Sequence, residues 1–184
     1  MRTSRFICLT GGALAFLAVP AVAIDQALPQ AATEAVPPFV ETSPDDTYLD
    51  DRSTPVELIR SLYNSINRHE YLRAWSYFSE ESGRADFPAF QKGYETTGGA
   101  KLKLGDPVSD GAAGSIYTRV PTVIEATGTD GVVRVFAGCY ETRMVQPANQ
   151  ATPPFVPLQI TKATLRPART KFDETSGDCQ VAGE

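Results

Sequence analysis

Residues able to do acid–base, nucleophilic or metal chemistry are few and scattered in this 184-residue chain. His69 is the only histidine, and its place in Asn67-Arg68-His69-Glu70, between two apolar-periodic stretches, predicts a solvated turn residue. One histidine without a cysteine cluster falls short of the three or four convergent ligands that zinc wants. Asp45, Asp46, Asp50 and Asp51 lack the spaced glycine and terminal glutamate of a calcium loop and read as a solvated acidic stretch. No metal and no cofactor is therefore expected. Serine-nucleophile motifs are absent, and Thr97-Gly98-Gly99 and Gly111-Ala112-Ala113-Gly114 are turn sequences without the Lys-Ser/Thr of a phosphate loop. What remains is a set of large rings, Tyr63, Trp75, Tyr94, Phe136 and Tyr140, whose hydroxyls and indole NH could fix an apolar guest. The plainer reading of the same five is core packing.

The elements that must position these rings begin with 54–78. Thr54 is an N-cap, Pro55 suits the first helical position and Glu57 completes a capping box. Leu58, Ile59, Leu62, Tyr63 and Ile66 then recur at three- and four-residue spacing, one apolar stripe on a helix. A second stripe, Tyr71, Leu72, Ala74, Trp75 and Phe78, follows the polar break and predicts a second helix, with Trp75 buried between it and a sheet. Asp86 caps a third, short helix carrying Phe87, Phe90 and Tyr94. From Ala100 the period changes from 3.6 to 2, which predicts about four strands: a short one around Leu102 and Leu104, then 115–126, 132–145 and 155–166. Pro121 is expected at a bulge or an unbonded edge, and Gly138 at a bend.

Strand parity decides whether a carboxylate reaches the interior. In 132–145 the face that carries Phe136 and Tyr140 also carries Arg134, Gly138, Thr142 and Met144, while Cys139, Glu141 and Arg143 fall on the other. Glu125 likewise falls opposite Ile116, Val120 and Ile124. No catalytic residue is expected, because a general base needs both reach and a tuned pKa. A one-residue slip in register would bring Glu141 inside and reverse that conclusion.

Outside 53–168, the ends of the chain carry other signals. Residues 1–23 read as a signal peptide: Arg2 and Arg5, an apolar run 6–19, then Ala21-Val22-Ala23. The run is too short and too interrupted for a stable membrane anchor. Residues 24–52, rich in proline and acid, predict a flexible arm, with Phe39-Val40 or Tyr48-Leu49 as points that could dock on the domain. Loss of Arg2 and Arg5 leaves 15 of the 17 basic residues against 22 acidic ones, net −7, with no basic cluster to track a phosphate backbone, so nucleic acid is disfavoured. Two cysteines remain after cleavage, and an oxidising compartment, periplasmic or extracellular, favours a Cys139–Cys179 disulfide that ties back a tail 169–184 across the outer face or rim of the sheet.

Helices first and a curved antiparallel sheet afterwards make an α+β layer arrangement. Tyr71-Leu72-Arg73-Ala74-Trp75, the stretch 87–94 and Phe136-Ala137-Gly138-Cys139-Tyr140 together resemble the nuclear transport factor 2-like, cystatin-like superfamily over residues 54–166, and its secreted bacterial members of unassigned activity most of all. The resemblance implies a cone in which the sheet wraps three N-terminal helices around an apolar cavity. It implies no single activity. The leading expectation is an exported, non-catalytic domain that takes a small apolar ligand or an envelope protein partner, with a homodimer through the sheet as a further partner mode. The competing expectation is an isomerase- or cyclase-type enzyme acting on a bulky apolar substrate.

Overall fold

The computed structural model describes residues 47–180 in full and the backbone of 39–42; the expected signal peptide, the arm residues 24–38 and 43–46, and the last four residues lie outside the described residues. The elements run β1 (Phe39–Thr42), α1 (Pro55–Asn67), α2 (Tyr71–Ser76), α3 (Phe87–Tyr94), β2 (Thr97–Gly105), β3 (Val108–Ala112), β4 (Ser115–Gly128), β5 (Val133–Val145) and β6 (Leu158–Pro167), with short 3₁₀ turns at Glu80–Ser82 and Pro147–Asn149. The fold is α+β; among the described residues the named strands pair antiparallel, and one isolated parallel bridge joins Phe78 to Ile160.

Two features correct the expected order of three helices and about four strands. A strand, β1, precedes the helices and pairs with β2, and β3 pairs with β4 beyond the end of β2, giving a six-stranded sheet of order β1-β2-β4-β5-β6 with β3 off the path. A 3₁₀ turn, moreover, sits between β5 and β6, so helical structure is not confined to the N-terminal side. β3 escaped the sequence reading because all five of its residues are exposed, and a strand without a buried face has no alternation to show. The edges of other elements also move. β2 starts at Thr97, where a turn was expected, and β6 starts at Leu158, three residues after the expected Phe155.

Local rules account for the rest. Thr54 Oγ1 accepts from the Glu57 amide at 3.2 Å and Asp86 Oδ1 from the Ala89 amide at 2.9 Å, so both helices start where their caps lie. His69 turns the chain between α1 and α2 at φ 58, a left-handed conformation costly for a side chain with a Cβ, and it is exposed. Pro121 sits where β4 changes partner, after Leu104↔Thr122 and before Val108↔Arg119, so no neighbouring ladder misses its N–H on that side. At Gly138 a Cβ would lie 1.8 Å from the Thr164 carbonyl oxygen, and its absence lets β6 close against β5, while the register irregularity of that pair falls at Glu141 and Thr142 rather than at Gly138.

α1 lies at the centre, with Leu58, Ile59 and Leu62 fully buried against Leu102, Leu104, Val120, Tyr140 and Ile160 from the sheet. Ser61 and Asn64 on its other side are also buried, which the apolar stripe does not explain. Residues 47–52 do. The Leu49 amide donates to Asn64 Oδ1 at 3.0 Å, Asn64 Nδ2 to the Thr47 carbonyl at 2.8 Å, and the Asp51 amide to Ser61 Oγ at 2.8 Å. Arg73 donates to the Leu49 carbonyl and stacks 4.4 Å from the Tyr48 ring centroid. The arm, expected to be flexible through residue 52, is thus a docked strap over its last six residues, held by polar groups on α1 and α2.

The other end of the chain covers the opposite face of the sheet. Cys139 and Cys179 stand at disulfide distance, with sulfurs 2.09 Å apart. Lys103 Nζ donates to the carbonyls of Phe172 at 2.6 Å and Asp173 at 3.1 Å, and the Gly177 backbone lies so close to Pro121 and Thr122 that a Cβ there would meet the Thr122 nitrogen at 2.2 Å. Under this tail Val123 is fully buried, although it points away from α1.

Candidate functional site

Between α1, α3 and the inner face of the sheet lies a cavity of about 470 Å³. Its deep wall comes from α1 (Tyr63, Ile66), β2 (Ala100) and β4 (Ile124), each at most 5% exposed. α3 contributes Phe90 and Tyr94, and β5 and β6 add Phe136 and Leu165. The period of each element places them: Phe90 and Tyr94 are four apart on one face of α3, and Ile124 and Phe136 are cross-strand partners.

Three phenols converge at this site. The hydroxyls of Tyr63 and Tyr140 are 2.8 Å apart and their rings meet edge-on at 6.3 Å. Tyr94 packs on Phe90 at 5.0 Å and stacks on Tyr71 at 6.3 Å. Burial pushes all three phenols above their ordinary pKa: for Tyr63 the repulsion of Tyr140 and Tyr94 adds to it, and for Tyr140 that of Tyr94 adds while the Tyr63 bond opposes. They stay neutral over the whole physiological range. One mutual hydrogen bond between Tyr63 and Tyr140 engages only one of their two O–H donors.

Of the five rings singled out in the sequence, the structure brings Tyr63, Tyr94 and Phe136 to the cavity wall and Tyr140 to the hydroxyl beneath it. Trp75 is not among them. Its ring is only partly buried, meets Phe87 edge-on at 6.2 Å, lies 3.8 Å from the Arg84 guanidinium carbon and donates Nε1–H to the Ala85 carbonyl at 3.1 Å. It braces the 77–86 connection between α2 and α3, because Ala74 and Tyr77, both fully buried, take the inward positions of this turn and leave Trp75 beside them. The sequence reading did not place Ile66, Phe90, Ile124 and Leu165 at a site, although Ile66 shares its helix face with Tyr63 and Phe90 with Tyr94.

Among the described residues no carboxylate or imidazole lines the cavity. Glu125 lies on the outer face, 3.0 Å from Lys101 Nζ, and Glu141, opposite Arg119 and Lys162 in the ladders, shares its strand face with the outward-facing Cys139. His69 sits in its exposed turn, edge-on to Tyr71. Among the described residues no group of three His, Cys, Asp or Glu side chains could hold a metal ion, and no helix is long and apolar enough to cross a membrane.

A second polar cluster belongs to the strap. Tyr77 Oη donates to Asp50 Oδ1 at 2.9 Å, and Arg52 Nε donates to the same oxygen at 3.0 Å. Burial pushes the Asp50 carboxyl up, but these hydrogen bonds and the charges of Arg52 and Arg73 outweigh it and hold the group below the usual range. Burial and the Asp50 bond push Tyr77 up to about 12.

No protein-family profile and no curated protein sequence matches the chain. Among solved structures, it is similar to a conserved protein from Planctomyces limnophilus, with 16% identity and a TM-score of 0.42 over 60% of this chain and 95% of that one. A variant of a Mycobacterium tuberculosis protein described as of unknown function gives 15% identity and a TM-score of 0.41 over 65% and 79%. A protein from Novosphingobium aromaticivorans described as "a putative aromatic ring hydroxylase" gives 12% and 0.44 over 64% and 93%. At these scores and identities none of the three lends this chain an activity.

Proposed function

We propose that this chain is an exported, non-catalytic binding domain whose cavity takes a small, neutral, apolar guest. One observation carries the reading: a cavity of about 470 Å³ is walled by aliphatic and aromatic side chains, with neutral hydroxyls as its polar groups. Such a site desolvates an apolar molecule favourably and offers an O–H to one acceptor oxygen on it. A guest with a full charge would lose its hydration and find no counter-ion. Proton abstraction, the first step of isomerase or cyclase chemistry, needs a base within reach of the substrate, and the described residues of the wall supply none. Export is supported by the cysteine pair, since disulfides persist in oxidising compartments.

Titration with Nile red, a neutral solvatochromic dye, tests this. We expect saturable binding with blue-shifted emission, lost in Ala100→Leu, which fills the cavity from its deep wall. Absence of saturable binding to the wild-type protein, or equal binding to the filled variant, would overturn the reading.

A further inference from the structure

We infer that the guest enters past α3, and that Gly93, with Ala89 one turn earlier, sets the width of that doorway. The inference rests on the guest-binding reading above. The deep wall of the cavity is closed, with Tyr63, Ile66, Ala100 and Ile124 all at most 5% exposed. Ala89 and Gly93, by contrast, line the same cavity and are exposed, so they form its outer rim. Four residues apart, they lie one above the other on a single face of the helix.

Glycine in the last turn of α3 needs a reason, because it weakens a helix relative to alanine. A left-handed backbone is not the reason, since Gly93 is absent from the positive-φ glycines Gly83, Gly114 and Gly131. Close packing is not the reason either, for a Cβ built on Gly93 meets nothing within 4 Å. Contrast Gly138, where a Cβ would strike the Thr164 carbonyl oxygen at 1.8 Å. What the missing side chain leaves at position 93 is open space next to Tyr94, on the rim of the cavity. Leucine or phenylalanine there would project into the mouth, whose other side is Thr97, Ala126 and Leu165. The doorway therefore selects by cross-section, admitting slender or planar guests, whereas Tyr63 and Tyr140 act on the guest once it is inside.

The two roles separate kinetically. Narrowing a doorway slows entry and exit together, whereas losing an anchor raises the exit rate alone. Stopped-flow binding of Nile red to Gly93→Ala, Gly93→Leu and Gly93→Phe tests the inference, with Gln91→Leu, which places the same apolar side chain on α3 away from this cavity, as control. We expect both rate constants to fall progressively along the series, by roughly tenfold or more for leucine, with a much smaller change in affinity. Gly93→Ala should melt no lower than wild type and already show slower rates, which keeps the test intact if a larger variant fails to fold. Wild-type rates in folded Gly93 variants, or slowing matched by Gln91→Leu, would overturn the doorway alone. A wild-type protein that binds no dye would refute the guest-binding reading and the doorway with it.

Discussion

The two faces of one sheet are covered in opposite ways. On the inner face, helices lie against alternating residues of β2, β4 and β5, and the rigid cylinders leave a cavity where α1 and α3 diverge. The outer face is covered by the tail, which has no regular structure and therefore follows the sheet closely: Phe172 and Thr175 are 4% and 6% exposed, and Val123 beneath them is fully buried. A helix presents fixed side chains at fixed angles and packs with gaps where shapes disagree, whereas an irregular chain can fit but must be held. Hence the inner face has room for a guest and the outer face has fastenings, Lys103 on the Phe172 and Asp173 carbonyls and Cys139 on Cys179.

Breaking the outer fastening should have the largest effect. The cysteines are 40 residues apart, and a crosslink closing a loop of that size stabilises a fold by roughly 4 kcal/mol. Replacing both by serine should lower the urea midpoint accordingly while Nile red affinity stays within about twofold, because the tail is on the far side of the sheet from the cavity. An equal loss of dye binding would show that the two faces are not independent.

The inner face is next. Tyr140→Phe should cost about 1–3 kcal/mol, the penalty of leaving the buried Tyr63 hydroxyl without its partner, and Tyr63→Phe with Tyr140→Phe should cost less than the two singly. Additive losses in urea titrations would mean that the hydroxyls do not bond each other. The same phenols set an alkaline limit. Tyr77 is raised from 10.0 to about 12, so the folded state holds its proton more tightly than the unfolded chain does. That contribution is fully present below pH 10 and is lost as pH rises through about 12, with Tyr63, Tyr94 and Tyr140 shifted in the same direction. Stability that stays flat from pH 10 to 12 would contradict the buried, neutral phenols.

The smallest effect belongs to the exposed turn. His69→Gly relieves a left-handed φ of 58 without removing any buried contact, and should stabilise by up to about 1 kcal/mol. Trp75→Ala gives the contrast: because its ring is only partly buried against Phe87 and Arg84, the loss should fall below the roughly 3–5 kcal/mol typical of a fully buried tryptophan. A destabilised His69→Gly variant would mean that the imidazole does more than turn the chain.

Periodicity and capping were enough to read α1 with its N-cap Thr54, the inner position of Phe136 and Tyr140, and the outer position of Cys139, Glu125 and Glu141. Those features depend on neighbours within a few residues or on the strict two-residue alternation of a strand, and both are written in the sequence. The tertiary structure alone decided the others. β1 and β3 form because an edge of backbone donors was free to pair, which requires no side-chain pattern. Lys103, on the strand face opposite Leu102 and Leu104, is buried because a tail some 70 residues later lays two carbonyls on it. Ser61 and Asn64 were polar breaks in a helix until the strap 47–52 supplied their partners. Trp75 packs on Phe87 and Arg84, which the chain beyond α2 brings to it, and the cavity lies where α1, α3 and the sheet meet. Local sequence sets the face a residue points to; what meets it there is fixed by chain segments far away, whose approach depends on the closure of the whole fold.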